Sequence, residues 1–152
     1  VFRLVWKLLI AFAHNAVVAL IVLMIFVPKT LLAGLVPALA GLALVILNGL
    51  ASTLLLGTLG ARFRDLPPLM TNITSLAFFI TPILWQADHL GERAWIAHAN
   101  PAYHLIEIVR APLLGGSASP ETWAVALGFT VLNAAAAFLL YARFRWRIPY
   151  WL

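Results

Sequence analysis

The sequence predicts an all-α, polytopic membrane protein, and composition and charge spacing both indicate this class. Hydrophobic residues make up 64% of the 152 residues, charged residues only 10%, and the mean hydropathy is +1.00. An ordinary soluble domain is about 45–50% apolar and about 25% charged. These proportions exclude a soluble globular protein, and the abundant aromatic residues exclude a disordered chain.

Four runs without any charged residue are each long enough to cross a bilayer once, because a hydrocarbon core of about 30 Å needs roughly 20 helical residues. The runs contain 21, 32, 22 and 21 residues and cover 8–28, 30–61, 66–87 and 122–142. We therefore predict four transmembrane helices over about residues 8–28, 31–60, 68–87 and 121–142. No polar linker interrupts the chain, so residues 1–152 are expected to form a single transmembrane domain.

The second run is longer than one straight crossing requires. Pro28 and Pro37 favour a helix that starts near Leu31 or just after Pro37. Later in this run small residues recur at every fourth position, a pattern that lets helix backbones approach closely in lipid. These residues are Gly49, Thr53, Gly57 and Ala61. The same spacing also arises by composition alone in an Ala-rich chain, so both interpretations stay open.

The region of about residues 88–120, between the last two spans, mixes apolar and polar residues over short distances. This pattern predicts one or two short amphipathic or re-entrant helices. Asn100-Pro101 is expected to break them, and Arg110-Ala111-Pro112 and the following glycines are expected to end them.

Two further pairs of residues suggest features of the outer surface. Proline removes a backbone hydrogen bond, so Thr81-Pro82 is expected to kink or end the third span there. Glu107 and Arg110, three residues apart on one helix face, are expected to pair with each other or across a dimer. A solvent-exposed pair of little energetic value is the alternative.

The basic residues predict that both termini lie in the cytoplasm. Seven of the ten Lys and Arg residues fall on the side of the N-terminus in the four-helix topology. They are Arg3, Lys7, Arg62, Arg64, Arg143, Arg145 and Arg147. The net charge of +5 is therefore attributed to one membrane face, and no nucleic-acid partner is expected.

Signatures of catalysis and of cofactor binding are missing from the sequence. It has no cysteine, no P-loop, no dinucleotide fingerprint and no His-Glu-x-x-His helix, so no catalytic, cofactor-binding or metal site is predicted. Any ATP-driven activity would need a second polypeptide. His98 and His104 are not spaced as a helical metal pair and are interpreted as interfacial histidines.

The order of several short segments resembles the ABC-2 type permeases that export polysaccharide, O-antigen, capsule or teichoic acid polymers across bacterial inner membranes. The resemblance covers essentially the whole chain. The segments are Phe12-Ala-His14-Asn15, Ala61-Arg-Phe-Arg-Asp65, Phe78-Phe-Ile-Thr81-Pro82-Ile83, Asn100-Pro101, Arg110 and Arg147-Ile-Pro-Tyr150-Trp-Leu152.

This resemblance implies a multi-pass inner-membrane protein that works as a homodimer with two ATP-binding cassette subunits. The cargo would be a lipid-linked polysaccharide carried on a polyprenyl diphosphate, with membrane lipids as the other contacts. Such permeases have six membrane helices, so the chain is expected to correspond to the last four. Residues 88–120 would then form gate helices at the periplasmic mouth.

The residues expected to act in transport form three sets. Because the four charge-free runs hold no Asp, Glu, Lys or Arg, the translocation path is expected to use rings and amides. Its candidates are Phe12, Asn15, Asn48, Phe78, Phe79, Phe129 and Asn133. The outer gate candidates are Thr81, Pro82, Asn100, Pro101, Glu107 and Arg110, and the cytoplasmic corner is Arg62, Arg64 and Asp65. Alternatively, the rings pack helices or face lipid, and the amides bond across helices.

Other functions stay open at this point. An ABC-2 permease for a drug or a small lipid would share the fold and the topology. A membrane-embedded enzyme acting on polyprenyl lipids would be expected to place acidic residues near the membrane surface, where Asp65 is the sole cytoplasmic one in the predicted topology. A scaffold protein is also compatible with the sequence.

Overall fold

A computed structural model describes residues 2–81 and 95–148, and all regular structure in these residues is helical. The helices are α1 (Phe2–Phe26), α2 (Pro28–Arg62), α3 (Leu66–Ile80), α4 (Trp95–His98), α5 (Pro101–Leu113) and α6 (Pro120–Phe144). The prediction of an all-α fold is confirmed.

Two of the described helices are long and apolar enough to cross a membrane: Leu32–Arg62 within α2, with 31 residues, and α6, with 25. The apolar part of α1, Ile10–Phe26, and the 15-residue α3 are shorter. The third predicted span was expected to reach residue 87, and residues 82–94 lie outside the described part. Four separate crossings therefore stay a prediction.

The start of α2 differs from one of the two expectations. The helix begins at Pro28 and continues through Pro37, so a start after Pro37 is wrong. Pro28 suits the first helical position, because its missing N–H would have no partner there. The turns on either side of Pro37 pack on α5 at Gly34 and Gly41, and such neighbours allow an interior proline in a membrane helix.

The core forms where α5 packs against α2 and α6. Leu44, Ile108 and Ala126 are its buried centre, one from each of these three helices. Most other large apolar side chains of the described residues are exposed, as expected for side chains that face lipid. The 15 residues of α3 include no buried one, so this helix packs little against the other described helices.

Glycines allow α2 and α5 to approach closely, but they are not the glycines that the small-residue pattern indicates. A Cβ atom added at Gly34 would overlap the carbonyl oxygen of Pro112, and one at Gly41 would lie 2.7 Å from that of Ile108. A Cβ at Gly49 or Gly57 would meet nothing within 4 Å. Gly49 and Gly57, the two glycines of that pattern, therefore bring no other described helix into close contact.

The region expected to form short helices contains α4 and α5, with a break at Asn100-Pro101 as the sequence indicates. Asn100 caps α5, since its side-chain oxygen accepts a hydrogen bond from the Ala102 N–H at 3.0 Å. Pro112 lies inside the last turn of α5 instead of after it. Gly115 follows with a φ of 87°, a conformation that favours glycine.

Candidate functional site

One face of α3 forms a shallow groove of about 650 Å³. Its described lining consists of Met70, Thr71, Thr74, Ser75, Phe78 and Phe79. The two rings lie at the end of α3 that leads to Thr81, with their centroids 5.7 Å apart in an edge-to-face arrangement. The described lining combines aromatic rings with hydroxyl groups and contains no charged residue.

Two of the three hydroxyl groups of this groove are anchored by their own helix. Thr71 donates to the Pro67 carbonyl oxygen at 3.1 Å, and Ser75 donates to the Thr71 carbonyl oxygen at 2.9 Å. Each hydroxyl oxygen therefore keeps lone pairs that accept hydrogen bonds from a ligand. Phe79 is 75% exposed, so its ring is available for stacking. The sequence prediction named Phe78 and Phe79 but missed the three hydroxyl residues, although their spacing on one helix face was visible.

Phe12, Asn15 and Phe129, three further path candidates, lie on other helices. Phe12 and Asn15 are exposed on α1, where the Asn15 amide donates to the Ala11 carbonyl oxygen at 2.8 Å. Phe129 is on α6, and 36% of its surface is exposed. Among the described residues, neither Phe12 nor Phe129 makes a ring contact with the α3 pair. The path role of all these residues stays a prediction.

Asn48 and Asn133, the remaining path candidates, join α2 to α6 by hydrogen bonds. Asn48 is 6% exposed, and its amide donates to the Thr130 hydroxyl oxygen at 3.2 Å. The Asn133 amide donates to the Asn48 side-chain oxygen at 3.0 Å and to the Ser52 hydroxyl oxygen at 2.7 Å. The geometry therefore favours the alternative in which these amides connect helices.

Two members of this polar cluster were missed by the sequence prediction. Ser52 donates to the Asn48 side-chain oxygen at 3.3 Å, and Thr130 donates to the Ala126 carbonyl oxygen at 2.8 Å. Single hydroxyl residues are common in membrane helices. Only their position opposite an amide distinguishes Ser52 and Thr130 from the other Ser and Thr residues. That position depends on how α2 and α6 pack.

The outer gate candidates include a hydrogen bond that ties α3 to α5. Thr81, directly after α3, is 2% exposed, and its hydroxyl oxygen accepts from the Asn100 amide at 2.9 Å. Asn100 uses its oxygen for the helix cap and its amide for this contact. α3 ends at Ile80, close to where Thr81-Pro82 was expected to end it, and Pro82 itself lies outside the described residues.

His104, interpreted from the sequence as an interfacial histidine, is buried inside the protein. It is 3% exposed, and its Nε2 atom lies 2.8 Å from the His98 carbonyl oxygen, to which it donates. Its Nδ1 atom is buried without a hydrogen-bond partner in the described structure. His98 is exposed and stacks edge-on against Tyr103 at 5.2 Å. The amphipathic pattern of α5 did not show which side faces α2 and α6.

Glu107 and Arg110 pair within α5. The Arg110 guanidinium donates to one Glu107 carboxylate oxygen from Nη2 at 2.7 Å and from Nε at 3.1 Å. The side chains of Arg110 and Glu107 are 29% and 21% exposed, so solvent screens the pair in part. Arg110 also lies in the last turn, where a cation complements the helix dipole.

We expect the Glu107–Arg110 pair to contribute at most about 1 kcal/mol to the free energy of unfolding, because it is partly exposed. Glu107→Arg and Arg110→Glu should each lower the melting temperature in detergent, and the charge-swapped double variant should recover part of the loss. Losses that simply add in the double variant would show that the two side chains are not coupled.

The corner that the sequence predicts to be cytoplasmic is a tight turn between α2 and α3. Arg62 is the last residue of α2, and the Phe63 N–H donates to the Leu59 carbonyl oxygen at 2.8 Å. Arg64 and Asp65 form the turn, and the chain re-enters a helix at Leu66. Over residues 2–81 and 95–148, no three His, Cys, Asp or Glu side chains come together in a way that could hold a metal ion.

Comparison with known proteins gives a family match that covers most of the chain. A family model described as ABC-2 type transporter matches residues 2–114, which include α1 to α5. No curated protein and no solved structure matches the chain.

Proposed function

The chain belongs to the ABC-2 type transporter family, and from this membership we propose that it exports a lipid-linked polysaccharide across the bacterial inner membrane. It is a membrane permease subunit of an ABC transporter and not the catalytic part. In the proposed assembly two copies form a homodimer, and separate ATP-binding cassette subunits bind and hydrolyse the ATP.

The proposal for the cargo rests on the groove of α3. It presents the exposed Phe79 ring beside Phe78 and the hydroxyl groups of Thr71, Thr74 and Ser75. Rings cover the apolar faces of a sugar, while hydroxyl groups exchange hydrogen bonds with it. A neutral surface of this kind suits a polymer that must slide without binding tightly.

The absence of charged residues from α3 and from the apolar part of α1 argues against a cationic drug as cargo. Neither Ile10–Phe26 nor α3 contains an Asp, Glu, Lys or Arg residue. A path for a cationic drug, or a proton relay, is expected to carry an acidic group within the membrane. Export of a neutral polymer on a lipid carrier therefore fits these helices better.

We expect Phe78→Ala/Phe79→Ala to reduce ATP-dependent polymer export several-fold, because the stacking surface of the groove is lost. The measurement is transfer of a lipid-linked polysaccharide in proteoliposomes that contain the permease with its ATP-binding subunit. Phe26→Ala is the matched control, since this exposed ring at the end of α1 lies outside the groove and should leave export unchanged.

Two results would overturn the cargo proposal. One is export that survives loss of both rings. The other is loss of export only in preparations where the permease also fails to bind its ATP-binding subunit, since the rings would then serve assembly. Transport of a small lipid or drug at the same rate as the polymer would favour the alternative substrate class.

Single-cysteine labelling tests the proposed orientation, and the chain contains no cysteine of its own. Ser117 and Trp146 lie beyond opposite ends of α6, and both are exposed. With cytoplasmic termini, Ser117→Cys should react with an impermeant maleimide in intact spheroplasts, and Trp146→Cys should react only after permeabilisation. The reverse pattern would contradict the orientation.

A further inference from the structure

The ends of α2 and α6 meet through arginine side chains that contact the same aromatic ring. The guanidinium carbon of Arg62 lies 5.9 Å from the centre of the Phe144 ring, and that of Arg143 lies 6.0 Å from it. Arg62 also lies 5.4 Å from the Phe63 ring. The corner after α2 and the end of α6, which are far apart in the sequence, therefore form one surface.

This surface carries a large excess of positive charge. It contains five exposed arginines and, among the described residues around it, one acidic residue, Asp65. The arginines are Arg62, Arg64, Arg143, Arg145 and Arg147. In the described structure the last four of these form no ion pair with a carboxylate. Like charges held this close together favour binding of an anion.

Exposed aromatic rings lie between these arginines. Phe63 and Trp146 are both more than half exposed, and the guanidinium carbon of Arg145 lies 5.1 Å from the Trp146 ring. Amphipathic rings and snorkelling arginines prefer the level of the lipid headgroups. Because α2 and α6 are the two described helices that are long enough to cross a membrane, their adjacent ends favour a position of the surface at that level.

We propose that this arginine–aromatic surface binds the phosphate groups of anionic phospholipids. The planar guanidinium group donates two parallel hydrogen bonds to a phosphate, and the neighbouring rings contact the upper part of the acyl chains. An acidic surface of the ATP-binding subunit would satisfy the same charges. It would not account for exposed Phe63 and Trp146 at the ends of membrane helices, which favour a lipid ligand.

The test measures lipid retained by the purified chain in native mass spectrometry, with phosphatidylglycerol and phosphatidylcholine as probes. We expect Arg143→Gln/Arg145→Gln/Arg147→Gln to reduce the bound phosphatidylglycerol at least five-fold and to leave phosphatidylcholine unchanged. Lys29→Gln, at the opposite end of α2, removes one charge of the same sign and should have little effect. Replacing the same three arginines by lysine keeps the charge and should retain part of the binding.

Three results would overturn the proposal. The first is unchanged phosphatidylglycerol binding by the glutamine variant in its folded state, checked by its melting temperature. The second is a variant that loses the ATP-binding subunit but keeps the lipid, which would identify a protein-docking surface. The third is loss of added polyprenyl diphosphate without loss of phosphatidylglycerol, which would identify the phosphate of the cargo carrier as the ligand.

Discussion

Gly34→Ala is expected to separate α5 from α2 and to lower the free energy of unfolding by an amount near the upper end of about 1–3 kcal/mol. The added Cβ would overlap the Pro112 carbonyl oxygen, which is part of the α5 backbone and cannot move without the helix. Alanine improves helix propensity by about 1 kcal/mol over glycine, which offsets only part of this strain. Gly41→Ala should show the same effect through Ile108.

Melting temperatures in detergent measure this effect, and the chain supplies matched controls. Gly49→Ala and Gly57→Ala make the same chemical change in the same helix, but their Cβ atoms would lie in open space. These controls should be neutral or slightly stabilising, because only helix propensity changes. If the Gly34→Ala variant has the same melting temperature as the controls, α5 does not pack closely against Gly34.

Asn48→Leu is expected to lower the free energy of unfolding by about 1–3 kcal/mol, because buried polar groups would lose their partners. The Thr130 hydroxyl would lose its donor, while Ser52 and the Asn133 amide would lose the oxygen to which they donate. In membrane proteins a single interhelical hydrogen bond contributes about 0.6 kcal/mol on average. Several bonds lost together account for the larger figure.

Asn72→Leu is the control for this substitution, since Asn72 is exposed on α3 and its loss should change the melting temperature little. Export by the Asn48 variant, measured on the fraction that stays folded, distinguishes the two roles considered for this residue. An unchanged melting temperature together with lost export would contradict a connecting role and would support the predicted path role.

The α3 groove shows where prediction of the site from sequence reached its limit. Phe78 and Phe79 follow from their position late in a charge-free span, and the structure places them in one groove. Asn48 and Asn133 were selected in the same way, as amides inside charge-free spans, yet the structure places them between helices. Sequence alone does not separate these cases, because a polar side chain in a membrane helix faces either a path or a neighbouring helix.

The sequence by itself determined the features that depend on neighbouring residues. Hydropathy and charge spacing predicted the helical class, and the span expected at 121–142 corresponds to α6 at Pro120–Phe144. The break at Asn100-Pro101 was also predictable, because an Asn cap and a proline act within a few residues of the chain.

Only the tertiary structure decided which side of each helix faces another. It showed that Gly34 and not Gly49 contacts α5, that His104 is buried, and that Arg62 meets Phe144. For Gly34 the physical reason is that α2 has apolar residues on all sides, so its sequence carries no pattern that separates lipid from protein. The orientation of each helix is set instead by close contacts between segments that are distant in the sequence.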